Sequence, residues 1–206
     1  MKYSRPDEIE KRSFELIRKE MKTSPPEERA PVIMRAIHAT ADFEYETSLA
    51  FSEEAVIRSM EAIRNGAMFI TDTNMALSGI NKKALHQTGC SAVCFMAEKE
   101  VAREAKARNV TRAVVSMEKA AGIKGRPLIF VIGNAPTALL RLSDLIEEGT
   151  AAPELVVGVP VGFVNVVESK EKIMQTAENY IVARGRKGGS TVAAAIVNAL
   201  LYMQTR

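Results

Sequence analysis

The sequence predicts a single α/β domain over residues 1–206, a mostly parallel, Rossmann-like sheet with helices on both faces. Three observations carry this. Short apolar runs alternate with helical patterns along the chain, the order that builds parallel sheets. The run Leu128–Ile132 reads as a buried strand. It passes through Gly133 and Asn134 into a helix opened by Pro136, with Leu139, Leu140, Leu142 and Leu145 at helical spacing. In such sheets ligands lie outside the carboxyl ends of the strands, beside helix N-termini.

That turn is not a dinucleotide fingerprint, because Ala135 stands where G-x-G-x-x-G needs its second glycine. This counts against a nicotinamide-dependent dehydrogenase. The chain has 206 residues, 47% apolar and 26% charged, ordinary for a globular domain with a full core. A net charge of +3 is too small to suggest nucleic acid, and without Trp few stacking platforms exist. The charged start MKYSRPDEIEKRS lacks an apolar signal segment, and no run is long and apolar enough for a membrane span. Cys90 and Cys94 do not form a disulfide framework, and a cytoplasmic location is expected. His86, Cys90 and Cys94 recur every four residues, but Gly89 breaks any shared helix face, so no metal site is expected.

In order, Asp7–Met21 reads as an amphipathic helix, and 23–26 breaks it before a helix over Glu27–Thr40. Ser52 suits the N-cap of a helix through Arg64, stopped by Asn65 and Gly66. Strands follow at Ala67–Thr71 and Ser91–Met96, the second with a buried cysteine. Lys99–Arg108 reads as a solvent-facing helix, and Thr111 caps another towards Ala121. Beyond the central unit come a strand at Leu155–Val159, a loop over 160–167, a helix at Glu168–Tyr180, a strand at Tyr180–Ala183 and a helix at Thr191–Met203.

Three polar groups stand out. His38 closes the second helix, just before Asp42, Glu44 and Glu46. A helix C-terminus and nearby carboxylates favour imidazolium, which makes a usable proton donor, although such a histidine also caps its own helix. Asp72, Thr73 and Asn74 lie at a strand's carboxyl end, as ligand groups or as N-caps. Arg184, Arg186 and Lys187 precede Gly188, Gly189 and Ser190 at a helix start, which makes an anion site or a solvated basic loop. The residues alone reach an anion-binding α/β protein with one acid–base histidine.

Five stretches in order say more: IHATADFEYE (37–46), GAMFITDTNM (66–75), VIGNAPTALLRL (131–142), VVGVPVGFVNVVESKE (156–171) and ARGRKGGSTVAAAIVNAL (183–200). With them the chain resembles the precorrin-8X methylmutase family, including its cobalt-precorrin-8 form, nearly end to end. The resemblance implies an isomerase of cobalamin biosynthesis. It would move a methyl group from ring carbon 11 to ring carbon 12 of a corrin precursor by a sigmatropic shift, giving hydrogenobyrinate or cobyrinate. It implies no cofactor, no methyl donor, an anionic tetrapyrrole substrate and a homodimer with the site near the subunit interface. The family's essential histidine falls on His38, as proton donor to the macrocycle, and its substrate-side residues on Ser13 and Arg112.

Substrate carboxylates suit the helix starts and the basic loop, so Asp72, Asn74, Asn134, Arg184, Arg186, Gly188, Gly189 and Ser190 join the expected binding set, with Met68, Met75, Phe163 and Val164 for the apolar body. Asn165, Val166 and Val167 depart from the small residues frequent in the family, and Tyr45 is unusual, which touches pocket shape. A tetrapyrrole carrier without turnover is the alternative, against which His38 counts.

Overall fold

The order of strands places the ligand edge. In the computed structural model, which describes residues 5–205, six strands form one sheet in the order β1-β6-β5-β4-β2-β3. These are β1 Leu49–Phe51, β2 Met68–Thr71, β3 Ser91–Val93, β4 Leu128–Ile132, β5 Leu155–Gly158 and β6 Tyr180–Ala183. β2 to β6 run parallel, and β1 is an antiparallel edge. From β2 the chain steps outward to β3, then returns past β2 to β4, so the order reverses between β2 and β4. Ligands bind at such a switch point in open sheets. The first four residues of the charged N-terminal stretch lie outside the described residues.

Every residue of β4 and β5 is buried, because helices cover both faces. One layer holds α1 Pro6–Glu20, α2 Ala30–Thr40, α4 Ala55–Arg64, the short α5 Asn74–Gly79 and α6 Lys82–Gln87, and α11 Ser190–Thr205. The other holds α7 Lys99–Arg108, α8 Arg112–Ala121, α9 Pro136–Glu147 and α10 Val166–Thr176. A single turn, α3 Tyr45–Ser48, links α2 to β1. Ile129 and Val131 face the first layer, and Phe130 and Ile132 the second, as strand alternation requires. No helix among the described residues is long and apolar enough to cross a membrane.

Several expected boundaries move. Ser52 does not cap α4; its hydroxyl accepts from the Tyr180 amide at 3.1 Å and so supports the β1–β6 edge. The third strand ends at Val93, leaving Cys90 buried before it and Cys94 after it. The helix expected from Glu168 begins at Val166, after Asn165 takes a left-handed turn (φ 57°), and ends at Thr176. α7 is not wholly solvent-facing, since Val101 and Ala105 are buried. Thr111 and Thr73 do cap their helices, accepting from the amides of Val114 and Ala76.

Candidate active site

The carboxyl edge is assembled around one buried carboxylate. Asp72, directly after β2, is 1% exposed. Its Oδ1 accepts from the Gly133 amide at 2.8 Å, and its Oδ2 from Asn134 and Ala135 at 2.8 and 2.6 Å. Burial pushes its pKa up, and the three amides oppose that shift. Asp72 thus bridges β2 to the β4–α9 turn across the switch point. The amides of that turn, expected to face a ligand, are spent on it; the side chain of Asn134 is exposed.

The start of α11 rests on the same turn. A Cβ on Gly133 would stand 2.8 Å from Ser190 Cα, so only glycine fits there. Thr73 Oγ1 and Ser190 Oγ lie 2.7 Å apart and join α5 to α11. Ser190 is therefore the first residue of α11 and pairs with Thr73. Gly188 is held as tightly, because a Cβ there would meet the Val159 carbonyl oxygen at 2.1 Å. The Gly189 amide donates to that same oxygen at 2.8 Å, so it is not available to a ligand as expected.

α2 lies antiparallel to α11, so its C-terminus reaches the loop before α11. Pro31 and Met34 share a cavity with Tyr202 and Met203 at the far end of α11, whereas Ala39 shares one of about 350 Å³ with Met75, Ser190 and Thr191. His38, in the last turn of α2, is exposed and stacks on Phe14 of α1, centroids 5.3 Å apart and planes 22° apart.

The three acids expected to act on His38 have other partners. Lys187 Nζ contacts Asp42 Oδ2 at 2.6 Å and Glu44 Oε2 at 2.7 Å. Glu46 accepts from the amides of Lys22 and Thr23 and from the Thr23 hydroxyl, bracing the α1–α2 link. Hydrogen bonds from Lys187 and the Glu44 amide hold Asp42 below the usual carboxylate pKa, and the two acids drive the Lys187 pKa upward. Asp42 and Glu44 therefore latch the end of α2 to the basic loop.

The remaining expected residues are spread along this rim. Arg184 and Arg186 are exposed, the latter with its guanidinium carbon 5.4 Å from the centre of the Phe163 ring. Met75, Phe163 and Val164 are 69%, 82% and 77% exposed. Asn74 is exposed after β2. Arg112 opens α8, whose cap Thr111 lies 3.0 Å from Thr137 at the start of α9. Ser13 donates back to the Ile9 carbonyl, beside Phe14. Met68 is not at the rim: it starts β2 at the opposite edge and packs into the second layer. A second cavity, of about 630 Å³, opens behind Phe14 between α1, α2 and α11, lined by Met34, Arg35, Tyr202 and Met203.

A doubly covered parallel sheet gathers its basic loop, a histidine and exposed apolar side chains on one edge. Comparison with known proteins makes this particular. A family model described as precorrin-8X methylmutase matches residues 8–203. The chain belongs to the precorrin-8X methylmutase family. It is similar to the cobalt-precorrin-8 methylmutase of Priestia megaterium, 43% identical over 95% of this chain and 87% of that one. The cobalt-precorrin-8 methylmutase of Leptospira interrogans is 42% identical, over 96% and 94% of the two chains. The precorrin-8X methylmutase of Pseudomonas aeruginosa is 35% identical over 93% of each. Among solved structures, a precorrin-8X methyl mutase from Thermus thermophilus superposes with a TM-score of 0.86 at 40% identity, covering 96% and 95%. Proteins of this family are isomerases that move a methyl group within their substrate in cobalamin biosynthesis.

Proposed function

We propose that this chain moves the methyl group from ring carbon 11 to ring carbon 12 of precorrin-8X or its cobalt form, giving hydrogenobyrinate or cobyrinate. The reading is supported by membership of the family and by the latch between Lys187 and the acids after His38, which holds the helix end that carries His38 against the basic loop. His38 lends a proton to the macrocycle, electrons redistribute as the methyl group migrates, and the proton returns. Substrate and product have the same composition, so the balance calls for no oxidant and no methyl donor. Arg184 and Arg186 bind peripheral carboxylates, with the amides at Gly188 and Ser190 beside them. Arg112, Asn74 and Asn134 line the far rim, and Ser13 lies on the His38 side.

Met75, Phe163 and Val164 present apolar surface to the ring. Their exposure supports a homodimer in which the second copy closes the site. Light scattering on active enzyme reads this directly: a dimer is expected, and an active monomer overturns it. The two free cysteines suit the reducing cytoplasm. The activity is tested by incubation with each substrate form while the visible spectrum is followed. Conversion to the corrin spectrum with at least one form is expected; no conversion of either by folded protein overturns the reading.

A further inference from the structure

Lys170 is the one fully buried lysine among the described residues. It stands in α10, beneath the basic loop, and no carboxylate among the described residues pairs with it. An ammonium in such a place is costly unless its hydrogens find acceptors. Nζ donates at 2.8 Å to the Gly185 carbonyl and at 2.8 Å to the Lys187 carbonyl. Both acceptors belong to one loop, and they bracket Arg186.

No peptide bond among the described residues is cis. In a trans peptide the C=O and the next N–H point in opposite directions. Two carbonyls drawn down onto Lys170 therefore turn the amides of Arg186 and Gly188 away from it. Neither amide donates to any group among the described residues, nor do those of Gly185 and Lys187, whereas the amides of Arg184 and Gly189, at the two ends of the loop, donate to the carbonyls of Ser48 and Val159. Open amides in a basic, glycine-rich loop are available to an anion.

We propose that Lys170 is a positioning residue that shapes this loop, keeping the amides of Arg186 and Gly188 open to substrate carboxylates. The inference rests on the reading that the loop binds substrate carboxylates.

The test compares Lys170→Met, Lys170→Gln and the double variant Arg184→Ala/Arg186→Ala with the natural enzyme, by steady-state turnover and by product titration. Lys170→Met is expected to raise KM and the product Kd roughly tenfold or more, with kcat within about threefold, the pattern of lost ground-state binding. Lys170→Gln, which keeps two N–H donors on a shorter arm, is expected to fall between. A merely structural defect lowers the active fraction, and so kcat, at unchanged KM. If Lys170→Met does not fold, Lys170→Gln carries the comparison. A KM within about twofold of natural in the Lys170 variant, while the arginine variant binds weakly, overturns the proposal and leaves the loop reading standing. An arginine variant that binds product normally overturns the loop reading, and this proposal with it.

Discussion

Lys187 closes onto Asp42 at 2.6 Å, across 145 residues of sequence, and so fixes the loop before α11 against the helix end that carries His38. The pair is largely exposed, and exposed pairs contribute little to stability. Its value is geometric. Lys187→Ala should melt within about 3 °C of the natural protein, while turnover falls roughly ten- to hundredfold through lost alignment. Parallel melting curves and turnover rates check this; an unchanged rate contradicts it.

Asp72 gives the opposite expectation. Asp72→Ala leaves three amides at the switch point without an acceptor, each costing about 1–3 kcal/mol where buried. A loss of about 3 kcal/mol or more is expected, which lowers the melting temperature by roughly 6–12 °C for a chain of this size. A drop under about 2 °C would mean that the turn holds itself.

Arg184→Ala and Arg186→Ala should each weaken product binding by roughly 10- to 150-fold, the range for a charge-assisted hydrogen bond of about 1.5–3 kcal/mol. The effect should shrink as salt rises, since both side chains are exposed. Titrations at two ionic strengths decide it, and equal affinities in all proteins would make the loop a solvated surface.

The distinction between Asp72 and Arg186 shows what is legible in a sequence. The alternation of strands and helices, the unit from Leu128 to Leu145, the N-caps Thr73 and Thr111 and the switch-edge loops all follow from local pattern. β1 does not: it has three residues, and it is a strand only because β6, some 130 residues later, pairs with it. Asp72 reads as a ligand group or a cap because its three donors lie about sixty residues away. Lys170 sits among Glu168, Glu171 and Lys172, where a solvated helix face is the natural reading; its burial comes from α10 folding under a loop that local sequence does not place. The acids after His38 were legible as a cluster, but their partner Lys187 was not.

Burial lowers the Lys170 pKa to about 8, from an ordinary 10.5. Between those values the unfolded chain binds a proton that the folded one does not, so the folded state gains stability as pH rises from about 8 towards 10.5. The gain is up to about 3 kcal/mol. Melting curves of the natural protein and Lys170→Met across that range should diverge in that sense, the natural protein gaining on the variant. Parallel curves contradict it.

If His38 is the acid of the methyl shift, as proposed, His38→Asn separates binding from turnover. The ring of His38 is exposed and stacks on Phe14, so asparagine is expected to leave the fold and the basic loop intact. A positioned acid contributes about 10²–10⁴ in rate. With precorrin-8X or cobalt-precorrin-8 as substrate, followed by its visible spectrum, His38→Asn should bind the corrin product as tightly as the natural enzyme and turn over slower by roughly 10² or more. Turnover within about threefold of natural would contradict acid catalysis by His38.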